Sequence, residues 1–233
     1  MATLIPSLNS VLPKMTGGEK RLARRLEEKL EDDYLLWYDV PVGTSGYHPD
    51  FIVFHPARGI LILEVKDWKP ETIQSLDKTR ATLLTDRGAK QQLNPFEQAR
   101  VYAHATANLL QKDPTLVEIE GKHQGGLILP WSYGVVFSNI RRSRFEESGM
   151  ETIIRPDRVI CQDEMVEAVD PEAFQQRLWQ MFPWQPKRPL SLPQIDRIRW
   201  HLFPEIRIGP TQEGLFDEPE PEPAMPDLIR IMD

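Results

Sequence analysis

Three charged side chains stand where strand-forming residues should leave none. Pro49-Asp50-Phe51-Ile52-Val53-Phe54 and Gly59-Ile60-Leu61-Ile62-Leu63-Glu64-Val65-Lys66 are apolar runs separated by His55-Pro56-Ala57-Arg58, the pattern of a β-hairpin. Side chains alternate along a strand, so Glu64 and Lys66 share one face, and the open end of the hairpin brings Asp50 beside them. Two carboxylates and a lysine at the end of an apolar sheet are costly to bury unless something neutralises them. A hard divalent cation is the natural partner: Asp50, Glu64 and the carbonyl of Val65 are oxygen ligands suited to Mg²⁺ or Mn²⁺. Lys66 would then position or deprotonate a water for attack on phosphorus. The alternative is an edge strand guarded by solvated charges, with Asp50 capping a turn. The unbroken Gly-Ile-Leu-Ile-Leu run ahead of Glu64 favours a central strand over an edge.

Other residues have a weaker claim to chemistry. Glu19 sits at the head of an amphipathic pattern and either reaches the sheet end or closes a capping box with Thr16. Gln98 and Tyr102, four apart, share a helix face and either meet a metal-bound water and a nucleotide or are surface and partial core. His48 contacts a phosphate or is a turn residue. Trp68 stacks on a base or packs the sheet end. Arg141 and Arg142, in the Arg141-Arg142-Ser143-Arg144 cluster, are candidate nucleic-acid contacts or ordinary surface. His55, His104, His123 and His201 have no zinc-ligand spacing, and no phosphate loop of the GxxxxGK[ST] type is present.

The elements that must position these groups follow from periodicity. A helix is expected over residues 17–33, from Leu22, Ala23, Leu26 and Leu30, then a strand over 35–40 closed by Pro41 and a glycine-rich turn at 43–46. The hairpin follows, then a second hairpin over 72–76 and 81–85. Asn94-Pro95 opens a helix expected to run to about Lys112. A strand is expected over 133–137, a short one near 159–160, and helices over 163–182 and 192–203. The expected class is α/β (α+β), with an αβββαβ core, a mixed sheet flanked by helices and a C-terminal helical extension. The expected division is an arm at 1–15, a core at 16–140, an extra strand and helical extension at 141–208, and an acidic Pro/Glu-rich linker at 209–233.

Net charge is −7 in 233 residues, but residues 211–233 hold seven acids against Arg230, leaving the remainder near neutral and able to present a basic face. Cys161 is the lone cysteine, so no disulfide forms within the chain and a cytoplasmic, reducing compartment is expected. No apolar run reaches the roughly 18–20 residues that span a bilayer, so no membrane partner is expected. The sequence leaves the oligomeric state open.

Gly18-Glu19, Pro49-Asp50-Phe51, Glu64-Val65-Lys66-Asp67-Trp68 and Asn94-Pro95-Phe96-Glu97-Gln98 together resemble the nuclease-related domain (NERD) family, a branch of the PD-(D/E)xK nuclease superfamily. The resemblance spans about Gly17 to Asn139. It implies a restriction-endonuclease-like core and a Mg²⁺-dependent nuclease acting on nucleic acid, most naturally DNA, with Glu19 as a further active-site carboxylate. Gln98 with Tyr102 is similar to the Gln-x-x-x-Tyr element of RecB-like nucleases. The insertion at 69–93 is less easily matched, which leaves its hairpin unassigned. Residues 226–233 look like the lead-in to the ATPase core of NERD-containing UvrD-like helicases, which implies a helicase partner in the same full-length chain and a role in repair or anti-phage defence. The rival expectation is a domain that binds DNA or a protein partner without cutting and recruits a helicase.

Overall fold

The computed structural model describes residues 1–43, 46–121, 123–186 and 188–204. Its centre is a six-stranded mixed sheet in the order β1-β2-β3-β4-β8-β9, formed by β1 (Thr3–Ile5), β2 (Leu35–Tyr38), β3 (Phe51–His55), β4 (Gly59–Lys66), β8 (Trp131–Phe137) and β9 (Val159–Cys161). The order α2 (Gly17–Lys29), β2, β3, β4, α3 (Pro95–Leu110), β8 reproduces the expected αβββαβ core. β3 and β4 pair antiparallel from Phe51↔Leu63 to His55↔Gly59. Gly59, at φ +109, closes the turn where a Cβ would meet the Pro130 carbonyl at 2.0 Å, so no other residue fits.

β4 is central, parallel to β8 on its other side, and covered on both faces. Leu61, Leu63 and Val65 pack with Leu22, Ala23 and Leu26 of α2. Ile60 and Ile62 pack with Ala103 and Leu110 of α3. Burial on both sides is why this strand reads as an unbroken apolar run. The two flanking helices are started by side chains: Thr16 and Glu19 close a capping box on α2, and Asn94 Oδ1 accepts the Phe96 N–H at 2.8 Å ahead of Pro95 on α3.

The 69–93 insertion forms a separate three-stranded sheet, β5 (Ile73–Leu76), β6 (Arg80–Thr85) and β7 (Gly88–Leu93). Its Ala81 and Leu83 pack with Trp68, Phe137 and Phe145 beside α3. β7 is absent from the sequence reading because Gly-Ala-Lys-Gln-Gln-Leu carries no apolar alternation, and the strand is almost wholly exposed.

Elsewhere the boundaries move for identifiable reasons. The 1–15 stretch, expected as an arm, contributes β1, parallel to β2, and the short α1 (Leu8–Val11). The helix expected over 163–182 is a short 3₁₀ turn at Gln162–Glu164 followed by α5 (Pro171–Trp179). Asp170 caps the Ala173 N–H at 2.9 Å and Pro171 takes the first turn, which fixes the later start. The Arg141–Arg144 cluster opens α4 (Arg142–Glu147), and α6 (Leu192–Leu202) lies where the sequence places it. The linker expected at 209–233 lies outside the described residues.

Candidate active site at the end of the central hairpin

The β3–β4 ladder ends at Phe51↔Leu63, and the next step along each strand sets Asp50 opposite Glu64 on the face that α3 covers. Asp50 replaces a backbone partner there: its Oδ2 accepts the Val65 N–H at 2.7 Å, while its carbonyl accepts the Asp39 N–H at 3.2 Å. Glu64 is 1% exposed. Its Oε1 accepts from Lys66 Nζ at 2.5 Å, and its Oε2 is buried with no hydrogen-bond partner. Burial, then the Glu64 charge, push the Asp50 carboxyl up to about 8, against the pull of the Val65 N–H and Lys66. Burial raises Glu64 as well, opposed by Lys66. One lysine does not neutralise two buried carboxyls, so the pair retains a proton near neutral pH.

Glu19 approaches from the other face of the sheet. Its Oε2 accepts both the Thr16 N–H at 3.0 Å and the Tyr38 hydroxyl at 2.8 Å, so the capping box and the reach to the sheet end are one arrangement. Its charge reaches the centre, raising both Asp50 and Glu64. Burial and donation to Glu19 hold the Tyr38 phenol protonated well above its ordinary range.

The head of α2 is fixed by Asp67, directly after Lys66. Its Oδ2 accepts the Gly18 N–H at 3.0 Å, its Oδ1 accepts from the Ser138 hydroxyl, and its carbonyl accepts Asn139 Nδ2 at 2.8 Å. Arg21 donates to the Ser138 carbonyl at 3.0 Å and to Asn139 Oδ1 at 2.8 Å. Sequence reasoning missed Asp67, Tyr38 and Ser138 as site-positioning groups. The available signal was Gly17-Gly18 ahead of Glu19, since paired glycines at a helix start point to a close backbone approach.

On α3, Gln98 Nε2 donates to the Tyr102 hydroxyl at 3.2 Å. Burial raises the Tyr102 phenol against that hydrogen bond, and the charges of Glu64 and Asp50 add to the rise. His48 is engaged by Asp39, with Nδ1 3.0 Å from Asp39 Oδ1, rather than turned free toward a phosphate.

Two expected nucleic-acid contacts are corrected. Trp68 is buried, its ring 5.9 Å from that of Phe137 beneath the inserted sheet, and offers no face for a base. Arg142 forks onto Glu164, with Nη2 at 2.7 Å and Nε at 3.0 Å, and donates to the Val159 carbonyl at 2.7 Å; it ties α4 to β9. Arg141 is exposed at the start of α4.

Among the described residues, no three His, Cys, Asp or Glu side chains gather round one point. The acidic centre offers the two carboxylates of Asp50 and Glu64, a number that fits Mg²⁺, because that ion takes one or two carboxylates and completes its shell with water and substrate phosphate. The unpartnered, buried Glu64 Oε2 is the position such an ion would satisfy. Among the described residues, no helix is long and apolar enough to cross a membrane.

Neither the curated proteins nor the solved structures yield a match. The nuclease-related domain matches residues 14–138, from just ahead of the Thr16 cap to Ser138 and containing every group of the acidic centre. With the hairpin, the two flanking helices and the Asp50–Glu64–Lys66 cluster all inside that match, the chain belongs to the nuclease-related domain family.

Proposed function

We propose that the protein is a divalent-metal-dependent nuclease that hydrolyses phosphodiester bonds of DNA. The observation that carries this reading is the buried Glu64 with one oxygen unpartnered, opposite an Asp50 carboxyl whose proton affinity is raised by the same burial. Such a pair costs stability in the metal-free chain, and a structural role gives no return for that cost. Asp50, Glu64 and the Val65 carbonyl would hold Mg²⁺ or Mn²⁺. The bound ion would polarise the phosphoryl oxygens and make its water a stronger acid.

The chain's own residues supply the rest. Lys66 Nζ, 2.5 Å from Glu64 Oε1, would orient the attacking water and take part in moving its proton. Glu19, anchored by Tyr38, adds negative charge at the far edge of the centre, which favours cation binding. Gln98, steadied by Tyr102, presents an amide to a water or phosphate oxygen. Coupling to a helicase ATPase core, in repair or defence, is part of the proposal; the residues that suggest it, 226–233, lie outside the described residues.

The Lys66–Glu64 pair also gives the rival reading its footing, because a lysine already in place partly neutralises the centre without any metal. In that case the domain would bind DNA and recruit a partner without cutting. Purified protein assayed on single- and double-stranded DNA with Mg²⁺, Mn²⁺ or EDTA separates the two. The nuclease reading expects cleavage with metal, none in EDTA and none from Glu64→Gln. Metal binding with no cleavage on any substrate would sink it in favour of recruitment.

A further inference from the structure

The outer face of α3 and the chain around Tyr47 border an open cleft of about 380 Å³. Arg100, His104 and Asn108 recur every four residues along one stripe of the helix, about 12 Å from first to last, and Lys112 continues the line past its end. Tyr47 forms the opposite wall. Its carbonyl accepts the Val42 N–H at 2.8 Å, which fixes its backbone, and its ring lies 5.4 Å from that of Tyr102. Tyr102 is the residue that carries Gln98. Tyr102 also feels the charges of Glu64 and Asp50, so the cleft wall adjoins the part of α3 nearest the acidic centre.

The lining has a consistent chemistry. Arg100 keeps Nε and Nη2 on Glu97 at 2.8 and 2.5 Å and is 44% exposed; unlike the buried Arg142 fork, this one leaves the guanidinium open to solvent at the cleft, with part of its charge offset by Glu97. The His104 ring stands edge-on to Trp131 at 4.8 Å, which fixes a flat polar edge. Asn108 and Lys112 are exposed. One held guanidinium and one exposed lysine along a stripe, an amide, and aromatic walls are a combination that can track a sugar–phosphate backbone while bases stack.

Building on the nuclease reading above, we propose that this cleft is a subsite for a single strand of nucleic acid leaving the acidic centre. Arg100 and Lys112 meet its phosphates, and Tyr47 and His104 take a base between them. This also accounts for how a chain of net charge −7 engages a polyanion: the contacts are a local stripe, not a global field.

The test uses the full chain, a fluorescein-labelled single-stranded oligodeoxynucleotide, EDTA to prevent cleavage, and anisotropy over a range of salt concentrations. Arg100→Gln with Lys112→Gln should make the slope of log affinity against log salt shallower by about 1.4, two phosphate contacts' worth. Tyr47→Leu should weaken binding roughly tenfold through lost stacking. Mn²⁺ calorimetry on each variant checks that the acidic centre is intact. Wild-type affinity and slope in both variants would overturn the subsite, as would wild-type protein that does not bind the oligonucleotide. Cleavage is scored separately with Mg²⁺. Loss of binding in the variants together with wild-type protein that never cuts would keep the subsite and remove the nuclease reading. Cleavage that persists with binding unmoved by the variants would do the reverse.

Discussion

Lys66 Nζ lies 2.5 Å from Glu64 Oε1, two residues away on the same face of β4, and this contact is what lets a carboxylate sit 1% exposed in the centre of the sheet. In the metal-free chain the lysine therefore has a structural task in addition to the chemical one proposed for it.

That double role predicts a split phenotype for Lys66→Ala. Glu64 would be left with both oxygens buried and unpartnered, costing about 2 kcal/mol in the metal-free state unless the carboxyl takes up a proton. Added Mn²⁺ should recover most of that loss, since the ligand oxygens remain. Cleavage should fall by about 10²–10⁴ even with metal saturating, the usual contribution of a positioned proton-transfer group. Thermal melts with and without Mn²⁺, alongside single-turnover cleavage, read both effects. Cleavage at the wild-type rate would remove Lys66 from the mechanism.

Metal and proton compete for the same oxygens. Because burial and Glu64 push the Asp50 carboxyl up to about 8, Mn²⁺ binding at pH 6 must displace a proton that is already gone at pH 9. Affinity should rise across that interval and level off above it. Calorimetry in buffers of differing ionisation enthalpy should show proton release at the lower pH and little at the higher. A pH-independent affinity would mean the carboxyl is ionised throughout.

The same shift sets a stability slope in the absence of metal. An unfolded Asp50 ionises near pH 4, whereas the folded one keeps its proton to about 8, so the folded state binds more protons in that window. Stability is fully present below the lower value and is lost as pH rises through the upper one. Asp113 acts in the opposite sense but in more acid solution: burial would raise it, yet hydrogen bonds from His201, Thr115 and Arg197 hold it below the ordinary carboxylate range. Asp50→Asn, which retains an acceptor for the Val65 N–H, should flatten the slope between pH 4 and 8 and raise the melting temperature most at the alkaline end. Urea titrations at several pH values measure it.

The acidic centre was legible because strand alternation is a strict period: once the hairpin is recognised, Asp50, Glu64 and Lys66 can share no other place. Its supports were less so. Gln98 and Tyr102 follow from helical spacing, but the role of Asp67 depends on Ser138 and Asn139, some seventy residues later, and no local pattern carries that. Arg142 reads as free surface charge for the same reason, since Glu164 stands 22 residues downstream. Trp68 is ambiguous in the sequence because the inserted sheet that covers it has no apolar alternation in its last strand.

Gly18 tests whether that long-range latch positions the site. A Cβ there would meet Asp67 Oδ1 at 2.1 Å and Ser138 Oγ at 2.7 Å, both held by hydrogen bonds and neither the free end of a flexible chain. Gly18→Ala must therefore push the head of α2 away from the C-terminal ends of β4 and β8, with a cost of about 2 kcal/mol for overpacking. Glu19, the next residue, would move with it and lose its hydrogen bond from Tyr38. Gly17→Ala is the control, because a Cβ at that position meets nothing closer than Asp67 Oδ2 at 3.9 Å. The expected outcome is lower stability and weaker Mn²⁺ binding for Gly18→Ala, with Gly17→Ala close to wild type in both. A Gly18→Ala protein that melts early yet binds Mn²⁺ with wild-type affinity would make the latch purely structural and leave Glu19 outside the metal centre.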